Sequence, residues 1–296
     1  MKNDRLKPFI HKIKGIKNYS FFDMLNGNLY HIEPVGKIEE VRNQLEEAGL
    51  IFKSETFVPF KTRLKVIKKE DNIYLRKLQV RLNGNDEDTC WQRNKIRQKK
   101  NPMTRDTIEK ILKEFKGIPL LKLIIEAEYW DKDAIVSLVR GLAFEELKLV
   151  IESESGINSE EISILLGKKN IEIDTIRKVQ IDEINISTYD FFYNQVFNPC
   201  LGHQIAIDTE GEIKPCLWWS NILGNIRYEK ISSMIISGRF DKYWEISKDT
   251  IDVCKCCEYR YNCMDCRINT MSNYDKFKSK PIFCKYDPYT GEGKKD

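Results

Sequence analysis

Apolar and polar residues change rhythm several times along this chain of 296 residues. Over residues 21 to 34, FFDMLNGNLYHIEP, apolar flanks enclose Asn26-Gly27. That dipeptide tolerates the positive φ angles of a tight turn, so a β-hairpin is predicted. Ile38, Val41, Leu45 and Ala48 then recur at helical spacing up to Gly49, which predicts an amphipathic helix leading into a short strand at Leu50 to Phe52. Together these form a small β-β-α-β unit. Residues 61 to 100 are strongly charged and carry one moderate strand signal, at Ile73 to Val80.

From Thr104 the pattern sharpens. Ile108, Ile111, Leu112 and Phe115 repeat at helical spacing before Gly117 and Pro119 end the run. Leu121 to Ala127 is a continuous apolar stretch and reads as a strand. Ala134 to Leu142 reads as a helix behind the cap residue Asp131, and Leu147 to Ile151 as a strand again. The unit then repeats: Asn158 with Glu161 resembles a capping box, Ile162, Leu165 and Leu166 form an apolar face, Gly167 closes it, and Ile171 to Ile173 is strand-like. Strand starts about every 25 residues suit right-handed βαβ crossovers and a parallel sheet, in too few copies to close an eightfold barrel.

Beyond residue 199 the composition shifts, and a domain boundary is expected near Tyr189 to Pro199. HQIAIDTEGEIKPC alternates, turns at Asp208 to Gly211 and returns through Glu212 to Cys216, which predicts a second hairpin. Ile231 to Ser247 carries Met234, Ile235, Phe240, Trp244 and Ile246 on a broad apolar face and reads as one helix, weakened by Gly238. The expected fold class is therefore α/β, in three parts. Residues 1–100 form an N-terminal β-β-α-β unit able to recognise a peptide by adding a strand to its edge. Residues 101–195 form βα repeats resembling a partial, degenerate barrel, and residues 196–296 a cysteine-rich domain.

Composition changes this picture little. With 41% hydrophobic and 32% charged residues the chain has the make-up of a globular protein. No apolar run approaches the roughly 20 residues that span a bilayer, and the N-terminus lacks the apolar core of a secretory signal, so no membrane partner and a cytoplasmic location are expected. A net charge of +4 is too slight to name a partner. Arg93, Lys95, Arg97, Lys99 and Lys100 form a local basic run that suits nucleic acid, a phosphate or an acidic peptide, although a solvated surface accounts for it more simply.

Cysteine changes the picture most. Eight of the nine cysteines fall between Cys200 and Cys284, five of them in CKCCEYRYNCMDC at residues 254 to 266. In a reducing compartment such pairs are more often metal ligands than disulfides. A Cys-x2-Cys turn lets two thiolates face one centre while the backbone curls around it. Two such turns plus single cysteines on either side supply one complete four-thiolate site and most of another. Structural zinc and iron-sulfur clusters both accept such sets, and spacing alone does not choose between them. Cys90 stands alone as a small apolar side chain.

Cys200, Cys216 with Gly211 five residues before it, then Cys254-x2-Cys257-x5-Cys263-x2-Cys266 and Cys284 resemble the SPASM domain. That domain is the auxiliary iron-sulfur module behind radical S-adenosylmethionine peptide-modifying enzymes. LGNI at 223 to 226, CEYRYNCMDCR at 257 to 267 and KPIFCKYDPYTGE at 280 to 292 are similar to the SPASM peptide maturases of grasp-with-spasm systems. The resemblance covers about the last hundred residues. It implies one [4Fe-4S] cluster on Cys254, Cys257, Cys263 and Cys284, and a second on Cys200, Cys216 and Cys266. The fourth iron of the second set is either open or taken by Cys256, His203 or a bound group.

The resemblance also implies a ribosomally made precursor peptide and an ATP-grasp ligase as partners. The chain departs from radical S-adenosylmethionine enzymes in one respect: it holds no Cys-x3-Cys-x2-Cys triplet, so it is not expected to bind or cleave S-adenosylmethionine. No glycine-rich phosphate loop and no nucleophile-base pair stands out, which assigns ATP chemistry to the partner. The expected role is an accessory peptide maturase. Two alternatives stay open: an enzyme using an open iron for redox or Lewis-acid work, and a zinc-stabilised protein that binds nucleic acid through residues 93 to 100.

Overall fold

A computed structural model describes residues 4–6, 10–33, 38–53, 73–84, 101–151, 171–174, 187–270, 275 and 277–293. The basic run 93 to 100, Cys90 and the helix expected at 158 to 167 lie outside these residues. The chain divides into two compact units. One comprises Met1–Val66, Ile181–Cys200 and Ile246–Asp296, the other Ile67–Gln180 and Leu201–Glu245.

The first unit opens with β1 (Asp4–Leu6), β2 (Ile10–Lys14), β3 (Tyr19–Asp23) and β4 (Asn28–Ile32). Then come α1 (Ile38–Glu47) and β5 (Ile51–Lys53). Asn26-Gly27 does sit in the turn between β3 and β4, with Gly27 at φ 66° and its N-H donating to Asp23. The sheet order is β2-β3-β4, antiparallel throughout, while β1 pairs with β5. Ile10, Phe21, Ile32 and Leu50 form one buried core against Val41 and Leu45 of α1 and Ala48 just after it, which is why that spacing makes a helix here. Ile13 and Phe22 face the other way and bury Phe191 of a short helix, Thr188–Tyr193.

The second unit is built on one sheet. Its strands are β6 (Leu75–Arg81), β7 (Leu120–Ala127), β8 (Phe144–Ile151), β9 (Ile171–Asp174), β10 (Gln204–Ile207), β11 (Glu212–Lys214) and β12 (Gly224–Asn225). They lie in the order β12-β11-β10-β6-β7-β8-β9. The five from β10 to β9 run parallel and the β10-β11-β12 edge is antiparallel, so the sheet is mostly parallel and the fold mixed α/β. β7 is buried from Leu123 to Ala127 and β8 from Leu149 to Ile151, as strands covered on both faces require, while Lys122, Glu145, Glu146 and Lys148 interrupt the apolar pattern at their starts.

The crossovers are α2 (Arg105–Phe115) and α3 (Lys132–Gly141), capped by Thr104 and Asp131, whose side chains accept the N-H groups of Thr107 and Ala134. The two helices approach so closely that a Cβ at Gly141 would meet Leu112 Cδ2 at 2.5 Å.

The helix expected over Ile231 to Ser247 is instead two short ones, Ile231–Ile236 and Asp241–Trp244. Gly238 at φ 73° ends the first: its N-H donates to Ile235 and that of Arg239 to Met234, the paired bonds of a Schellman cap. Among the described residues no helix is long and apolar enough to cross a membrane.

Candidate metal centre

The described residues from 246 to 293 of the first unit contain little regular structure, so what positions the cysteines is a set of tight turns. Ile251 buries itself with Ile246 and Cys254. Val253 takes φ 66° and ψ −50°, and the N-H of Cys254 donates to Asp252 at 2.8 Å across it, which makes a γ-turn of the strained hand. A β-branched residue holds such a conformation only where its surroundings force it, at roughly 1 to 3 kcal/mol. A 3-10 turn, Cys254–Cys256, follows, and the N-H of Cys257 donates back to Cys254 at 2.9 Å. This closes the first Cys-x2-Cys turn.

The next loop is pinned by Arg260. Its guanidinium donates to Asp249 Oδ1 at 2.8 Å, to the Lys14 carbonyl at 2.9 Å and to the Cys257 carbonyl at 2.9 Å. The Cys257–Cys263 loop is thereby tied to β2. Ile16 N-H donates to the Cys256 carbonyl at 2.7 Å and Ser20 Oγ to the Glu258 carbonyl at 2.6 Å. Gly15 allows the approach, since a Cβ there would meet Glu258 Oε2 at 2.6 Å and Glu258 N at 2.9 Å. Glu258 is fully buried; Tyr286 donates to its Oε1, and its Oε2 has no hydrogen-bond partner.

Cys254, Cys257, Cys263 and Cys284 line one pocket, with Lys248, Arg260 and Lys280 among its other walls. Burial pushes the Cys254 thiol up to about 11, against Asp265 and the neighbouring thiols adding to the effect and Lys248 opposing it. Burial likewise raises Cys257 and Cys263. A thiol in such surroundings ionises when a positive centre compensates it, which is what a metal ion supplies. Lys248 is itself fully buried. Burial alone would lower its pKa, yet the Asp265 carboxylate and the Cys263 and Cys254 sulfurs hold it above the ordinary value. Lys248, Arg260 and Lys280 stand where they offset part of the negative charge that four ionised thiols would carry.

The spread of the sulfurs bears on which metal group they hold. Tetrahedral zinc with Zn-S near 2.3 Å holds its sulfurs about 3.8 Å apart. Among the described residues, the set of three or more possible ligands whose donor atoms all lie within 4.8 Å is Asp208, Glu210 and Glu212; the cysteine sulfurs form no such set. In this arrangement no three described cysteine sulfurs stand as close together as one tetrahedral zinc would hold them. The carboxylate set already holds a cation, because Lys214 Nζ lies 2.7 Å from Asp208 and 2.9 Å from Glu212.

The remaining cysteines are divided between the units. Asn198 donates to Asp265 Oδ2 at 2.8 Å and accepts the Cys200 N-H at 3.0 Å, which ties the chain at Cys200 to the residue preceding Cys266. Asn269 donates to Cys266 Sγ at 3.8 Å. Cys216 is buried and belongs to the second unit, just after β11. His203, also in the second unit, stacks between Tyr74 at 4.7 Å and Trp244 at 4.8 Å. Tyr289 donates to Cys256 Sγ at 3.7 Å.

Sequence reasoning missed Lys248, Glu258, Asp265, Arg267 and Tyr286. For the four charged ones the signal was charge placed between cysteines, which the chain buries: Glu258 and Arg267 are both 0% exposed.

No protein-family model matches the chain, and no curated protein matches it. Among solved structures it is similar to BtrN in complex with AdoMet and 2-DOIA, at 10% identity over 57% of this chain and 85% of that one, TM-score 0.33. Selenomethionine BtrN in an open conformation gives 12% identity over 63% and 93%, TM-score 0.32. Streptococcus suis SuiB bound to precursor peptide SuiA gives 10% identity over 94% and 99%, TM-score 0.36. Likenesses of this size carry no argument about fold or chemistry.

Proposed function

We propose that this chain is an iron-sulfur accessory factor that holds a ribosomally made precursor peptide for an ATP-grasp ligase, without radical S-adenosylmethionine chemistry of its own. The observation that carries it is the pocket lined by Cys254, Cys257, Cys263 and Cys284. These are the four positions that the SPASM-like text assigns to one cluster, and a [4Fe-4S] cluster would be held by them. Cys200, Cys216 and Cys266 would hold a second. Bound there, such a group supplies electron transfer or Lewis acidity and much of the local folding energy.

The chain's own residues do the rest. Lys248, Arg260 and Lys280 offset the charge of four thiolates, and the Arg260 and Glu258 contacts fasten the cysteine loop to the β2-β3 sheet. The peptide and ligase partners rest on the sequence resemblance. A protein that binds both components raises their effective concentration for one another, so modest separate affinities suffice.

The test is co-expression of precursor and ligase with and without this chain, following loss of water from the peptide by mass spectrometry. More extensive dehydration and a three-component pull-down are expected with the chain present. Equal modification in both cases overturns the accessory role.

A further inference from the structure

The three cations that line the cysteine pocket differ in what else holds them. Arg260 donates its Nε to Asp249 at 2.8 Å, so a carboxylate already answers its charge, and Lys280, partly buried, donates to the Tyr286 carbonyl at 2.6 Å. Lys248 is the one sealed from water, its side chain 2% exposed. It opens a 3-10 turn, Lys248–Thr250, ahead of the first Cys-x2-Cys turn, and its Nζ reaches across to the second, donating to the Met264 carbonyl at 3.2 Å between Cys263 and Cys266.

The carboxylate beside Lys248 is shared. Arg267 donates to Asp265 Oδ1 through Nε at 2.9 Å and again through Nη2, whereas Lys248 Nζ stands 3.6 Å from the same oxygen, beyond hydrogen-bond reach. One negative charge thus faces two buried positive ones, and on the Lys248 side the sulfurs complete the balance. Burial works against a charge on Lys248, but Asp265 and the Cys263 and Cys254 sulfurs hold it there. Burial likewise raises the Cys263 thiol, and Lys248 opposes that rise by its charge and by a hydrogen bond. Four thiolates for four irons leave no coordination position open, so what the neighbours can tune at such a group is how readily it takes an electron. Net charge, hydrogen bonds to sulfur and exclusion of water set that. A buried cation favours the more negative, reduced form, and away from water its effect is little screened.

We infer that Lys248 sets the reduction potential of the cluster held by Cys254, Cys257, Cys263 and Cys284, raising it as a fixed positive charge against the sulfurs. Lys248 acts through the ligands and is a positioning residue. This role rests on the iron-sulfur reading above and gives that site an electron-carrying task in place of a purely structural one. One electron is exchanged with a one-electron donor; no bond forms or breaks and no proton moves.

The test is a redox titration of the anaerobic, cluster-loaded full chain, with dithionite as the electron source and electron paramagnetic resonance as the readout. Cys257→Ala, which lacks this cluster, identifies its signal by difference. Lys248→Met keeps an unbranched side chain and removes the charge. At the parental midpoint its ratio of reduced to oxidised cluster should be about tenfold lower, a downward shift of about 59 mV for one electron. Lys248→Arg keeps the charge and should stay near the parent. So should Lys255→Met, although Lys255 lies between two cysteines in sequence: its side chain is 50% exposed and paired with Asp252 at 2.9 Å, where water screens it. Should Lys248→Met fail to hold iron, Asp265→Asn decides, because loss of that negative charge must shift the midpoint upwards. A parental midpoint in Lys248→Met at full iron content, an equal fall in Lys255→Met, or an unchanged midpoint in Asp265→Asn would each remove this role from Lys248. Zinc without sulfide defeats the cluster reading before any potential is read, so the two failures are told apart.

Discussion

Lys248 Nζ lies 3.6 Å from Asp265 Oδ1, with the two side chains 2% and 0% exposed. Asp265 also accepts from Arg267 Nε at 2.9 Å and from Asn198 at 2.8 Å, while Lys248 donates to the Met264 carbonyl at 3.2 Å. One carboxylate thus answers two buried cations beside the cysteine pocket. Such a network is costly to break from one side, because it leaves charge in a low-dielectric interior.

Asp265→Ala is therefore expected to cost roughly 3 to 5 kcal/mol, the penalty for stranding a buried ion. Replacing Lys248 with methionine at the same time should recover part of that loss, since one stranded cation goes with its partner. Denaturant unfolding of the cluster-loaded protein measures both. Parental stability in the single variant would remove Asp265 from its place at the centre of the network.

Iron content tests the ligand set. Anaerobically prepared protein should be brown, with about eight iron and eight sulfide per chain if both sets carry [4Fe-4S] clusters. Cys257→Ala should lose about half the iron and become protease-sensitive over residues 246 to 293, where metal binding supplies much of the folding energy. Stoichiometric zinc without sulfide would overturn the assignment, and full iron in the variant would remove Cys257 from it.

The missing Cys-x3-Cys-x2-Cys triplet leads to a negative expectation. Without three thiolates in one loop, no site-differentiated cluster of the usual kind is available to chelate the cofactor. Reduced, reconstituted protein incubated with S-adenosylmethionine should form no 5′-deoxyadenosine above a cluster-free control. Multiple turnovers would move the chain into the enzyme class.

Much of this fold was legible because its signals are local. Thr104 and Asp131 cap helices whose apolar faces are explicit, and β7 and β8 carry the short apolar stretches Leu123–Ile125 and Leu149–Ile151, all buried. At 231 to 247 the apolar face was read and the stop signal underweighted, although Gly238 is the residue a Schellman cap requires. The crowding of cysteines was legible from spacing, whereas the grouping of Cys254, Cys257, Cys263 and Cys284 followed from the resemblance. Its supports were not legible, because Lys248, Glu258, Asp265 and Arg267 look like ordinary loop charges until the fold buries them against one another. Nor does spacing say that Cys216 and Cys254 fall in different compact units. Sequence distance is silent on a chain that leaves one unit at residue 200 and returns to it at 246.

A last expectation concerns pH and lies away from the metal ligands. His11, on β2 opposite Phe22, packs its ring against Phe191 at 5.5 Å and Phe192 at 5.2 Å, and its Nε2 has no hydrogen-bond partner. Burial lowers its pKa below the ordinary 6.5. In the unfolded chain the imidazole takes up a proton near its ordinary value, and in the fold it does so only at lower pH. Its contribution to stability is thus complete above about 6.5 and is lost as pH falls from there towards the folded value, where the unfolded chain binds more protons. His11→Phe keeps an aromatic ring among the phenylalanines and removes the titration. Melting temperatures of parent and variant, taken from about pH 7.5 down to about pH 5.5, should converge on the neutral side or differ by a constant. On the acid side the parent should fall away from the variant. Parallel curves across the whole range would show that the buried imidazole does not limit stability in acid.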